Sequence, residues 1–283
     1  MTPNVQAFFD KATNTVTYLV SDPATKAAAI IDPVLDFDPK AARVSTTSAD
    51  ALLTALADQK LALAWILETH AHADHLSAAD YLRSKTGAKV VIGAHIRTVQ
   101  EAFGALFETQ ADGRVFDHLV EEGETLPLGA LEISVLHTPG HTPACVTYRI
   151  GDAAFVGDTL FMPDYGTARA DFPGGDAATL YQSIQRILGL PQDTRVFVGH
   201  DYLPESRKTF EWETTVAEER ARNIHVHDGV AQSDFVAMRT ARDQTLDAPT
   251  LILPSLQVNI QAGALPQPSA SGRVFLKLPV NAL

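Results

Sequence analysis

The stretch Glu68-Thr69-His70-Ala71-His72-Ala73-Asp74-His75 decides how the rest of the chain is read. Three histidines and one aspartate fall within the six residues 70–75, directly after the apolar run 63–67, which reads as a buried strand. In an extended segment residues i and i+2 point the same way, so His70 and His72 are expected to converge on one point just past the strand end. Asp74 and His75 are expected to open the next helix and turn two more donors toward the same cavity. A polar strand-to-helix turn capped by Asp74 is the plainer reading, but it does not account for so dense a set of metal-ligand side chains.

Three further strand ends carry single donors of the same kind: His141 in Thr138-Pro139-Gly140-His141-Thr142, Asp158 in Val156-Gly157-Asp158, and His200 in Val198-Gly199-His200-Asp201-Tyr202. Each follows an apolar run and a Gly or Pro-Gly turn, the setting that presents a side chain in a cleft. Taken singly, each is an ordinary loop residue. Together with residues 70–75 they supply enough imidazole and carboxylate ligands for one or two metal ions.

Around these points short β-branched runs alternate with helical patterns, the sign of an α/β chain with mixed layers. Strands are expected at 16–20, 28–31, 63–67 and 90–92, with helices over 47–59, 77–86 and 95–107. From Leu131 a similar series follows: strands at 132–136, 145–150, 153–156 and 195–198, and a helix over 177–188. Two such halves predict two facing sheets with helices outside. Residues 1–247 are read as one catalytic domain. The Pro-rich tail 248–283 is read as an extended arm packed on that domain or on a partner protomer, with a strand expected at 274–280.

Composition narrows the function. The chain has 283 residues, 46% of them hydrophobic, and one cysteine, which excludes a disordered chain and a disulfide scaffold. A formal charge of -12 opposes attraction to nucleic acid or an anionic membrane surface. No apolar run approaches the ~18 residues of a spanning helix, and the opening residues lack the pattern of an export signal. The expectation is a soluble cytoplasmic protein, and lone Cys145 suits a reducing compartment. Cys145 itself reads as a small buried hydrophobe. His95, His118, His137 and His227 have no matching partners and receive no role.

The H-x-H-x-D-H motif at 70–75 with His141, Asp158 and His200 resembles the metallo-β-lactamase superfamily over about residues 15–225. That resemblance implies an αββα sandwich with a metal site at one edge between the sheets. The segments around the motif, together with Ala168-Arg169-Ala170-Asp171-Phe172 and Gly174-Gly175-Asp176-Ala177, look like the persulfide dioxygenase (sulfur dioxygenase) family, and the long tail looks like its bacterial β-lactamase-like hydrolase branch. The family implies one Fe(II) per chain held by His70, His141 and Asp158, with His72, Asp74, His75 and His200 beside it or forming a second metal position. It also implies glutathione persulfide and O₂ as substrates, with Arg169 and Tyr202 contacting glutathione, and an acidic position at Asp32. Arg169 has a competing reading as a surface ion pair with Asp171. The loop 163–168 is longer than in animal-type members, and an arginine of those members falls at about His225. Two rival functions stay open: a dinuclear zinc thioesterase of glyoxalase II type, and a non-catalytic metal-binding or sulfide-sensing protein. A homodimer is one assembly the sequence allows.

Overall fold

The computed structural model describes residues 2–109 and 112–281. The first half runs β1 (Asn4–Asp10), β2 (Thr15–Ser21), β3 (Ala27–Ile31), β4 (Val34–Asp38), β5 (Arg43–Ser45), α1 (Thr47–Gln59), β6 (Ala62–Leu67), β7 (Leu76–Ser77), α2 (Ala79–Thr86), β8 (Lys89–Gly93), α3 (Ile96–Phe107) and β9 (His118–Val120). The second runs β10 (Thr125–Leu128), β11 (Leu131–His137), β12 (Val146–Ile150), β13 (Ala153–Phe155), α4 (Ala177–Leu188), β14 (Arg195–Phe197), β15 (Glu213–Thr215), α5 (Val216–Arg222), α6 (Gln232–Asp243) and α7 (Ile252–Asn259). Six strands form each main sheet, in the orders β1-β2-β3-β6-β8-β9 and β10-β11-β12-β13-β14-β15; β5-β4-β7 makes a small third sheet.

Strand alternation produces the layers. In β3, Ala29 and Ile31 face Tyr148 and Phe155 of the other sheet, while Ala28 and Ile30 face the helices that carry Leu52, Leu82 and Phe103. The second sheet likewise turns Ala154, Val156 and Val196 onto Leu180 and Ile184 of α4 and Phe235 of α6. The result is the expected αββα sandwich, with a core between the sheets and one under each helical layer.

The two sheets are tied at one edge. Val146 N donates to the Thr69 carbonyl and Val16 N to that of Gly199, each at 2.9 Å, and within the second sheet Gly199 N donates to Gly157 at 3.1 Å. Gly157 has φ +50°, and a Cβ there would lie 2.4 Å from Thr69 Oγ1, so only glycine permits this closeness of the Asp158 turn to the motif strand.

Three expectations need correction. The short strand β7 separates His75 from α2, so Asp74 and His75 sit in a loop and do not open the helix. No strand forms at 274–280, where Val274, Phe275, Leu278 and Val280 are exposed and lack a partner strand to cover them. The expected extended arm begins with helix α7, whose Leu256 and Val258 join the core under the first sheet. Pro254 is accommodated within the first turn of that helix, where its missing N–H costs nothing.

Candidate metal centre

The ends of β6, β11, β13 and β14 deliver their donors to this tied edge. His70, His141 and Asp158 form one group, with His70 Nε2 3.9 Å and His141 Nε2 3.8 Å from the same oxygen, Asp158 Oδ2. These spacings are too long for hydrogen bonds and fit donors arranged around a common ion. Both imidazoles are held with Nε2 inward. The Thr69 hydroxyl donates to Asp32 Oδ2 at 2.8 Å and therefore accepts from His70 Nδ1 at 3.0 Å. His141 Nδ1 donates to the Arg169 carbonyl at 2.8 Å. Burial, then the neighbouring His72 and His141, hold the His70 pKa well below the usual range, so the ring is neutral with a free lone pair.

A second group comprises Asp74, His75 and His200 with His72. His200 Nε2 lies 3.2 Å from Asp74 Oδ2 and 3.3 Å from Asp158 Oδ1, so Asp158 faces both groups. Burial opposes protonation of His200, but the carboxylates of Asp158 and Asp74 outweigh it and raise its pKa. His75 Nδ1 is 3.4 Å from Asp74 Oδ1 and 3.3 Å from Thr15 Oγ1.

His72 lays its ring beside His70, with centroids 4.0 Å apart, but does not share that residue's donor group as expected. Its Nε2 turns to a third buried group, 3.0 Å from Asp32 Oδ1 and 3.4 Å from Glu68 Oε2. The chain leaves the extended conformation after Leu67, so the i, i+2 rule no longer applies. Two buried carboxylates then offer the imidazole a charge partner: burial alone would lower the His72 pKa, yet Asp32 and Glu68 raise it well above the usual value. Glu68, held by Ser77 Oγ, was not among the expected site residues although it stands two residues before the motif.

The donor set fits a divalent ion. Neutral imidazole nitrogens and a carboxylate suit zinc or iron. His75 Nε2, His200 Nε2, Asp74 Oδ2 and Asp158 Oδ1 are buried without hydrogen-bond partners, which is costly for a protein that binds nothing there.

A cavity opens onto these donors, walled by Phe161, Tyr165, Tyr202, Arg169, Arg239 and Arg242. Another cleft, about 370 Å³ against about 160 Å³, lies between β1, β4 and β5, but the His70, His141 and Asp158 donors all face the smaller one. Tyr202 stacks on His200 and Tyr165 with ring centroids 5.6 and 4.9 Å apart. Arg169 reaches the cavity wall with its fork already engaged: Nε and Nη2 bond Asp171 at 2.5 and 2.7 Å, and Nη1 bonds the Asp247 carbonyl at 2.7 Å. Arg239 is buried and paired with Asp243. Exposed Arg242, not anticipated from sequence, has no ion-pair partner among the described residues. His225 lies behind the wall, where Thr167 N donates to its Nδ1 at 3.1 Å and burial pushes its pKa down to about 4. Cys145 is buried as expected, and desolvation pushes its thiol up to about 12.

The sandwich and the His/Asp groups define a metal-binding protein of α/β type. The metallo-β-lactamase superfamily model matches residues 11–200, and the chain belongs to that superfamily. It is 52% identical, over its whole length, to a β-lactamase hydrolase-like protein of Xylella fastidiosa, of which it spans 66%. It is 45% identical to glyoxylase B2 of Dictyostelium discoideum (99% and 97% of the two chains) and 32% identical to the mitochondrial persulfide dioxygenase of Homo sapiens (75% and 74%). The crystal structure of ETHE1 from Myxococcus xanthus superimposes with TM-score 0.76 at 32% identity, covering 92% of this chain and all of that one. Among the described residues no helix is long and apolar enough to cross a membrane.

Proposed function

We propose that this chain is an iron-dependent persulfide dioxygenase, which converts glutathione persulfide, O₂ and water into sulfite and glutathione in a reducing, cytoplasmic setting. The observation that supports the reading is that His72, although its ring lies beside His70, is not grouped with the donors of His70, His141 and Asp158. Two imidazoles and one carboxylate are the facial set of non-haem iron oxygenases, and His72 is drawn off to Asp32 and Glu68. The likeness to the human persulfide dioxygenase supports the same reading.

A ferrous ion held by His70, His141 and Asp158 would supply open coordination positions to a thiolate sulfur and dioxygen. The chain's own groups prepare that site. Thr69 and the Arg169 carbonyl keep the protons of His70 and His141 on Nδ1, leaving each Nε2 unprotonated. Phe161, Tyr165 and Tyr202 exclude water along one wall. Arg242 offers a guanidinium outside any ion pair to a glutathione carboxylate, whereas most donors of Arg169 are engaged by Asp171, Leu246 and Asp247.

The second reading is a dinuclear thioesterase, favoured by the Asp74, His75 and His200 group and by the likeness to glyoxylase B2. Metal analysis with O₂-uptake and thioester-hydrolysis assays separates the two. One iron per chain with persulfide-dependent O₂ uptake is expected. Two tightly bound metals with hydrolysis restored by zinc would replace the dioxygenase reading.

A further inference from the structure

We propose that Asn259, the last residue of α7, is the positioning residue of the metal loop, and that the C-terminal tail is thereby a working part of the metal centre. The Asn259 amide is buried 184 residues downstream of His75, and its Nδ2 donates to two carbonyls of the motif, His72 O and His75 O, each at 2.8 Å. Its Oδ1 accepts from Ser77 N, also at 2.8 Å. Two donors and one acceptor in a single plane are what a primary amide offers; a carboxylate of the same shape has no donor.

These three bonds matter because the loop 72–75 has no ladder or helix of its own to set its shape. The two carbonyls bracket Ala73 and Asp74, so the amide fixes the turn that sends His72 toward Asp32 and Glu68 while Asp74 and His75 face His200. Two further contacts seat the end of α7 outside the motif itself. Gly263, at φ +82°, brings its Cα so close that a Cβ would lie 2.9 Å from Ser77 O and 3.0 Å from Asp80 N. Gln100 Nε2 holds the helix end from the other side by donating to Ile260 O at 2.8 Å. The inference rests on metal binding by the motif and is independent of whether the reaction is an oxygenation or a hydrolysis.

The test uses the full chain with Co(II) alone as probe, read by competition titration and by its visible absorption spectrum. Asn259→Ala removes all three bonds, and Asn259→Asp keeps the Ser77 acceptor while setting a carboxylate against two carbonyls. Gln100→Ala loosens the same helix end without touching the motif. Loss of an outer partner of a metal ligand typically weakens metal binding about 10–100-fold. Both Asn259 variants should show that loss and a changed spectrum; Gln100→Ala, at a comparable loss in thermal midpoint, should keep the parent's affinity and spectrum. Parent-like Co(II) binding in folded Asn259→Ala overturns the proposal, as does an equal loss in Gln100→Ala. If the Asn259 variants do not fold, reciprocity provides a variant-free measurement, because a tail that shapes the metal loop must itself be tightened by the metal. Amide exchange in α7 should then slow on Co(II) saturation, and unchanged exchange there overturns the assignment.

Discussion

Replacing Glu219 with glutamine should shift stability toward the variant by an amount that grows with pH. Glu219 is fully buried on α5; its Oε2 accepts from Asn223 Nδ2 at 2.7 Å, and its Oε1 has no partner. Desolvation pushes its pKa from 4.5 to about 8. The folded chain therefore keeps a proton that the unfolded chain releases above pH 4.5, so the stability of this arrangement is complete below 4.5 and is lost as pH rises through 8. Each pH unit in that window costs about 1.4 kcal/mol. The loss is about 3 kcal/mol at pH 7 and about 4 kcal/mol at pH 8, and it levels off near about 5 kcal/mol above that. Glutamine cannot ionise and keeps the acceptor for Asn223. Its new amide N–H groups meet no acceptor where Oε1 was, which adds a pH-independent penalty of about 1–3 kcal/mol. The slope is accordingly the diagnostic quantity. Urea unfolding of parent and Glu219→Gln at pH 5, 6, 7 and 8, with metal removed from both, should show the variant gaining on the parent at every step. A difference that stays flat across this range would refute the reasoning. The site feels the outcome too, since Asn223 Nδ2 also bonds the Gly166 carbonyl at 3.2 Å, between the cavity-lining residues Tyr165 and Thr167.

His141→Ala should lose both bound metal and activity, whereas Asp74→Ala should keep part of its iron with activity down about 10–100-fold; metal analysis that finds both variants equally stripped would favour the dinuclear reading. Arg242→Ala should raise KM for glutathione persulfide about tenfold or more with a smaller change in kcat, while Arg169→Ala, which breaks the Asp171 and Asp247 contacts, should lower thermal stability more than it alters KM. Cys145 should resist thiol reagents in the native state and react on unfolding, as titration with a chromogenic disulfide will show.

Much of the fold is legible in the sequence because its signals are local. The short apolar and β-branched runs that become β2, β3 and β12 are buried on both faces, β11 alternates, and α1 and α4 each bury one stripe, so each run reports its own burial. The single donors at 141, 158 and 200 were legible for the same reason, each standing at a strand end after a glycine turn. Helices α5, α6 and α7 were not. Their periodicity is weak, and α7 contains Pro254, which reads as a breaker when its place in a first turn is unknown. The orientation of His72 depends on Asp32, 40 residues upstream at the end of another strand, a contact that spacing within the motif cannot express.

The arginines of the cavity wall show the same limit from the side of charge. Arg169 stands two residues from Asp171, and in an irregular segment that spacing lets the fork close on its own neighbour, leaving a bidentate pair at 2.5 and 2.7 Å. Arg239 has Asp243 four residues on along α6, the spacing at which helical side chains meet, and the pair is buried. Arg242 has no carboxylate four residues before or after it, since Met238 and Leu246 occupy those places. Among the described residues of that wall, Arg242 is the arginine left without an ion-pair partner. Its availability follows from what its neighbours lack, and its relevance only from the tertiary packing that carries α6 over His70, His141 and Asp158.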